Sequence, residues 1–143
     1  MLNSILTSGD RAMFNPIFGK ATVIVPAAGV VLTGTGIPKI NNKQICLVGD
    51  EKRVIVPRCP YTSAPNITPG IGTLFIESLA INQKAIKVQS KRTAVLLKGT
   101  TFIAKFQVTK PAQTPTIPPK PDLILQYFGT GYFTTTNMKV KGR

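Results

Sequence analysis

Histidine and tryptophan are absent from this chain, and carboxylates are scarce: 5 Asp and Glu face 18 Lys and Arg, for a net charge of +13. Without histidine the chain has no side chain that ordinarily titrates near neutral pH, and no imidazole for a Cys/His zinc site. Cys46 and Cys59 are the only cysteines, too few for a secreted disulfide scaffold or for a tetrahedral metal set. They read as small buried residues, and a bridge between them cannot be decided from spacing. The carboxylates Asp10, Asp50, Glu51, Glu77 and Asp122 are scattered, with Asp10, Asp50 and Asp122 in turn-like contexts. Aspartate in a turn ordinarily bonds nearby backbone amides, so no acid–base pair is expected. The string from Gly34 to Ile40 lacks the third glycine and the helix of a dinucleotide-binding loop. No catalytic, cofactor-binding or metal-binding residue is assigned, and enzymatic activity is not expected. No window approaches the roughly 20 apolar residues of a transmembrane helix, and the start lacks a basic segment followed by a long apolar one.

What is present favours strands. The 143 residues are 43% hydrophobic, enough for one cored domain, and 12 Gly and 12 Pro are spread among short apolar runs. Phe102, Ala104, Phe106 and Val108 alternate with polar neighbours and give the firmest strand signal. Further strands are expected at Ala21–Val25, Val30–Leu32, Val54–Val56, 71–81 and Val95–Leu97. The proline-rich run Pro57–Pro69 reads as a long ordered loop or a stiff arm. Thr109–Asp122 reads as a semi-rigid connector. The expected division is therefore a β unit over residues 1–112 and, over 113–143, a Pro-rich connector with an aromatic and basic extension. On that division, Leu123–Arg143 should be removable without unfolding the rest. The tail residues Lys139, Lys141 and Arg143 read as a solvated terminus.

The stretch from Gly34 to Asp50 forms a hairpin pattern: a glycine opening, Ile40, an Asn41-Asn42 corner, Ile45 and Leu47, and a Gly49-Asp50 close. Gly70–Lys87 reads as a looser copy with its corner at Asn82, and Lys98–Ala112, with Gly99, as a partial third. The residues taken to set these turns are Gly34, Gly36, Asn42, Gly49, Asp50, Gly70, Gly72, Asn82 and Gly99.

These units resemble the PAAR family, small cone-shaped β proteins that cap the spike of contractile injection machines. Gly36, Pro38, Asn42, Lys43, Gly49 and Asp50 stand in the places of the family unit. Gly72, Asn82, Lys84 and Ala85 do so in the second copy, and Gly9-Asp10 matches the opening turn of divergent members. The resemblance covers roughly residues 9 to 112. It implies a small cone of three hairpin units, seated one chain per trimer on a trimeric β-helical spike. The expected setting is the bacterial cytoplasm during assembly and then the tip of an injection particle. It implies a target-cell envelope as a further partner and leaves room for effector cargo. The family's zinc is held by His and Cys, so no metal is expected here. A core of Phe14, Phe75, Phe102 and Phe106, with the Pro57–Pro69 loop, is expected in its place. Nucleic acid is not an expected partner, because the aromatics lie away from Arg11, Arg53, Arg58 and Arg92. The alternative reading is a small basic nucleic-acid-binding β-barrel.

Overall fold

The computed structural model describes residues 3–90, 92–137 and 140–142. The fold is all-β. Its strands are β1 (Asn3–Ser4), β2 (Arg11–Phe14), β3 (Ile17–Phe18), β4 (Ala21–Val23), β5 (Val30–Val31), β6 (Lys39–Ile40) and β7 (Lys43–Gln44). They continue with β8 (Ile55–Ser63), β9 (Asn66–Ser78), β10 (Lys84–Ser90), β11 (Thr93–Leu96), β12 (Phe102–Lys110), β13 (Gln126–Thr134) and β14 (Lys141–Gly142). Short 3-10 turns occupy Asp50–Arg53 and Ile81–Gln83. No helix among the described residues is long and apolar enough to cross a membrane.

Eight strands form one antiparallel sheet in the order β3-β4-β8-β9-β12-β13-β2-β5. Its inner face carries the alternating residues of β12, with Phe102, Ala104 and Phe106 fully buried. Three strand glycines make room for the rings that fill this core. A Cβ at Gly72 would strike Phe106, one at Gly131 would strike Phe102, and one at Gly129 would meet Phe18. The last approach brings the β3 edge back against β13, so the sheet curls over its own core.

The proline-rich segments differ from expectation. Pro57 and Pro60 lie inside β8, which with β9 makes a long hairpin turning at Ala64–Pro65. Proline lacks the N–H that a central strand needs. It is accommodated here because the β4 ladder on β8 runs only from Tyr61 to Ser63, Pro60 meets that side only as an acceptor for the Ile24 N–H (3.0 Å), and β8–β9 register shifts fall at Val56/Cys59 and Tyr61/Ser63. The second segment is the connection between neighbouring strands β12 and β13. It bonds to itself (Thr114 N–H to Lys120 O, 2.9 Å) and bridges to Thr68 through Gln113.

Residues 113–143 consequently do not stand apart from 1–112. Strand β13 lies between β12 and β2, with Tyr127 and Phe133 in the same core as Phe102 and Phe106. Phe75 departs from expectation in the opposite direction. It lies half-buried on the outer face, with Lys105 Nζ 5.7 Å from its ring centroid. A buried acid ties the β12–β13 connection down. The Asp122 carboxylate accepts from Tyr61 Oη (3.2 Å), Tyr127 Oη (2.5 Å) and the Ile124 N–H (3.0 Å). Burial, then the hydrogen bond to Asp122, pushes the Tyr127 phenol up to about 12.

The remaining strands form three two-stranded hairpins, β6-β7, β10-β11 and β1-β14. All three lie at one end of the sheet. The chain passes from them into β2 at Arg11, β8 at Ile55 and β12 at Phe102, and β9 and β13 run back to them at Ser78 and Thr134. The 13 residues of β9 span about 40 Å at roughly 3.3 Å per residue. That length separates the hairpin end from the far end, where the Ala64–Pro65 turn and the β12–β13 connection lie.

A candidate docking ring with threefold internal symmetry

Three segments of related sequence leave the hairpins: Ile5-Leu-Thr-Ser-Gly-Asp10, Ile45-Cys-Leu-Val-Gly-Asp50 and Val95-Leu-Leu-Lys-Gly-Thr100. Each runs extended for three residues and then bends at a glycine with positive φ: Gly9 at 94°, Gly49 at 112°, Gly99 at 52°. The segments close a triangle. Ile5 bridges Leu97, Ile45 bridges Thr7, and Val95 bridges Leu47, so the first residue of each segment meets the third residue of another.

The backbone hydrogen bonds follow the same cycle. The Leu6 N–H donates to Leu96 O (3.1 Å), Leu96 N–H to Cys46 O (2.8 Å), and Cys46 N–H to Leu6 O (2.8 Å). A second cycle lies one step along: Ser8 N–H to Gln44 O, Val48 N–H to Ala94 O and Lys98 N–H to Ser4 O, each 2.8 Å. Side chains alternate across the triangle. Leu6, Cys46 and Leu96 are fully buried toward the aromatic core, while Ile5, Ile45, Val95, Leu47 and Leu97 belong to a second apolar cluster within the hairpins.

The hairpins keep equivalent registers. Gln44 pairs with Lys39, Ala94 with Gln89, and Ser4 with Lys141. One step out, Lys43 pairs with Ile40, Thr93 with Ser90, and Asn3 with Gly142. The third hairpin is therefore assembled from the two ends of the chain. Of the basic tail residues, Lys141 is in this ladder; Lys139 and Arg143 lie outside the described residues.

Two corners of the ring are fastened by a buried carboxylate. Asp10 Oδ2 accepts from the Thr7 N–H (2.8 Å) and Thr135 Oγ1 (2.7 Å). Asp50 Oδ2 accepts from the Leu47 N–H (2.8 Å), and Thr35 Oγ1 donates to Asp50 Oδ1 (2.9 Å). Thr100 takes the aspartate's place at the third corner. There Asn82 Oδ1 accepts from the Thr100 N–H and hydroxyl, both 3.1 Å, and Gln83 O accepts from the Leu97 N–H (2.9 Å). Aspartates beside glycine act as backbone acceptors, as their turn contexts suggest.

The sequence-assigned turn residues divide between two places. Asn42 sits with Asn41 in the β6–β7 turn at positive φ (65° and 53°), and Gly49, Asp50, Asn82 and Gly99 form the corners. Gly34 and Gly36 pack so closely on Gln44 and Ile45 that a Cβ on either would clash. Gly70 and Gly72 are not turn residues, since both lie within β9. The expected second and third hairpin units are replaced accordingly: β9 pairs with β8 and β12, and β10 pairs with β11. Sequence reasoning reached Gly9-Asp10 only as an opening turn and Lys141 only as a solvated terminus, and took neither Ile5–Asp10 nor Lys141–Gly142 as part of a repeat unit. The Gly-Asp ending shared by the segments at Ile5 and Ile45 is the signal that could have found the first.

The ring does not suit a metal ion. The innermost side chains are Leu6, Cys46 and Leu96, and burial, then the Asp50 and Asp10 carboxylates, push the Cys46 thiol up to about 12. A thiol so disfavoured as thiolate is a poor ligand and a poor nucleophile. Both cysteines are free, and among the described residues no three His, Cys, Asp or Glu are grouped to hold a metal.

Over residues 1–143 the sequence matches the family model described as "Contractile injection system spike tip protein". No curated protein matches it.

Proposed function

The chain belongs to the contractile injection system spike tip family, and we propose that it caps the spike by seating its threefold ring on the blunt end of a trimeric β-helical spike, one chain per trimer. The observation that carries this reading is the closed cycle of hydrogen bonds through Leu6, Cys46 and Leu96. A single chain facing a trimer must offer each subunit a like surface, and the equivalent registers of the three hairpins do so. Docking would pair backbone groups left open at the last strands of the spike and cover its apolar end.

With the ring seated, the long axis of the sheet continues the spike, and the far end leads toward a target envelope. The role is structural and non-catalytic. Assembly takes place in the bacterial cytoplasm, and the far end also offers a place to attach effector cargo. The test is electron microscopy and native mass measurement of the purified chain mixed with its trimeric spike. One chain per three spike subunits, with the hairpins at the junction, is expected. A one-to-one complex, or attachment through the β8–β9 turn, would overturn the reading.

A further inference from the structure

Exposed aliphatics beside lysines occur at both ends of the molecule: Ile37, Ile81 and Ile86 lie at the hairpins, which the proposed seating covers, and a second set lies at the far end, which it leaves open. The far-end aliphatics sit on turns. Ile117, at the crest of the β12–β13 connection, is 100% exposed, Leu123 89% and Ile67 60%. The charge beside them is of one sign. Lys20, Lys110 and Lys120 are exposed there, beside the β3–β4 turn and at the two limbs of the connection. The five carboxylates of the chain are all placed: Asp10, Asp50, Glu51 and Asp122 are buried, and Glu77, next to Ser78 at the ring end of β9, is the one with an exposed side chain. No exposed carboxylate therefore offsets the lysines of the far end.

The crest is held in place rather than loose. Thr114 and Lys120 bond across its base, Thr114 and Thr116 hydroxyls share a hydrogen bond, and Asp122 anchors its return limb to Tyr61 and Tyr127. Holding Ile117 outward in water gains nothing for folding, since the residue covers no other part of the chain.

We infer that the far end is a lipid-docking surface: Ile117, Leu123 and Ile67 enter the headgroup–acyl boundary of an anionic phospholipid bilayer while Lys20, Lys110 and Lys120 engage its phosphates. Aliphatic groups flanked by lysine match an interface that is apolar below and anionic above. A nucleic acid would reward the lysines but not the aliphatics, and base-stacking aromatics are missing from the crest. The inference rests on the proposed orientation, in which the ring faces the spike and the far end leads.

The test uses the full chain and vesicles of phosphatidylcholine with and without phosphatidylglycerol. Because the chain has no tryptophan, Ile117→Trp supplies a single reporter whose emission shifts to the blue on entering lipid. Phosphatidylglycerol vesicles should bind the chain and shift the reporter, and phosphatidylcholine vesicles should bind far less. Ile117→Asp with Leu123→Asp should weaken vesicle binding by about tenfold or more. Lys110→Gln and Lys120→Gln should each cost about fivefold. Ile117→Asn with Leu123→Asn, which leaves the charge unchanged, should weaken vesicle binding comparably while retention of random-sequence DNA stays unmoved. No vesicle binding, equal binding to neutral vesicles, an unshifted reporter, or full binding by the double aspartate variant would each overturn the inference. Spike complex formation, measured on the same proteins, separates the two readings. A variant that loses lipid and keeps the spike supports both, whereas lipid binding by a chain that never joins the spike refutes the proposed orientation alone.

Discussion

Deleting residues 135–143 is the sharpest perturbation, because it leaves all eight strands of the main sheet and removes only one limb of the third hairpin. The cut strips Asp10 of Thr135 Oγ1 (2.7 Å) and the Thr136 N–H (3.3 Å), and strips Ile5 of bonds from the Asn137 amide (2.9 Å) and to Val140 O (3.2 Å). Hydrogen bonds to a carboxylate contribute about 1.5–3 kcal/mol each and neutral ones about 1 kcal/mol. Allowing for water reaching the opened corner, the loss comes to about 5 kcal/mol, a large share of the roughly 5–15 kcal/mol that holds such a domain. In urea, with a slope of about 2 kcal/mol per molar, the midpoint should fall by about 2.5 M. Amide exchange at Leu6, Cys46 and Leu96 should accelerate before exchange along β12 does. If the midpoint moves by less than about 0.5 M and those three amides stay protected, the ring does not depend on its C-terminal limb and the reasoning fails. Removal of Leu123–Arg143 takes out β13 as well, with Tyr127 and Phe133, and should abolish the cooperative transition altogether.

Other expectations concern single residues and conditions. Gly72→Ala forces a methyl into the Phe106 ring and should cost about 1–3 kcal/mol, read as a lower midpoint in denaturant. The Cys46 thiol rises from 9.0, and the Tyr127 phenol from 10.0, to about 12 in each case. Both neutral forms are favoured by folding, so the stability they contribute is complete below pH 9 and is lost as pH climbs toward about 12. Melting temperature should therefore decline between pH 9 and 12, and Cys46→Val should soften that decline; a flat profile would contradict the buried placement. A spike complex held by burial and strand pairing should survive a rise from about 50 to 200 mM salt. Random-sequence DNA held through several phosphates should lose roughly a thousandfold over the same range, and a filter-binding titration of both reads the difference.

The parts of the fold legible in the sequence are those decided locally. The alternation from Phe102 to Val108 places a buried face without knowledge of any partner, and Asn41-Asn42 specifies a turn by its tolerance of positive φ. The parts that were not legible depend on which distant strands pair. Pro57 and Pro60 look like loop residues until it is known that the β4 ladder on β8 stops at Tyr61 and that Pro60 meets Ile24 only as an acceptor. The phase of the repeat was hidden for a similar reason. Gly70 and Gly72 imitate a turn opening, but their lack of a side chain makes room for Phe106 and for the backbone near Ala112. The third unit has no continuous sequence to be recognised, since Asn3–Asp10 and Thr135–Gly142 are at opposite ends of the chain.

That division between the two ends has a consequence in time. The β6–β7 and β10–β11 hairpins each close over two residues, so both form within microseconds once synthesised. The third hairpin must join Ser4 to Lys141. Closing a loop of that length costs about 3 kcal/mol more in chain entropy than closing a short turn. It also waits until Lys141 has left the ribosome, more than 130 residues after Ser4, at roughly 5–20 residues per second. A nascent chain thus carries two finished sides of the triangle and an open third. The triangle is complete only with Lys141 and Gly142, so the ring is the last part of the fold to close.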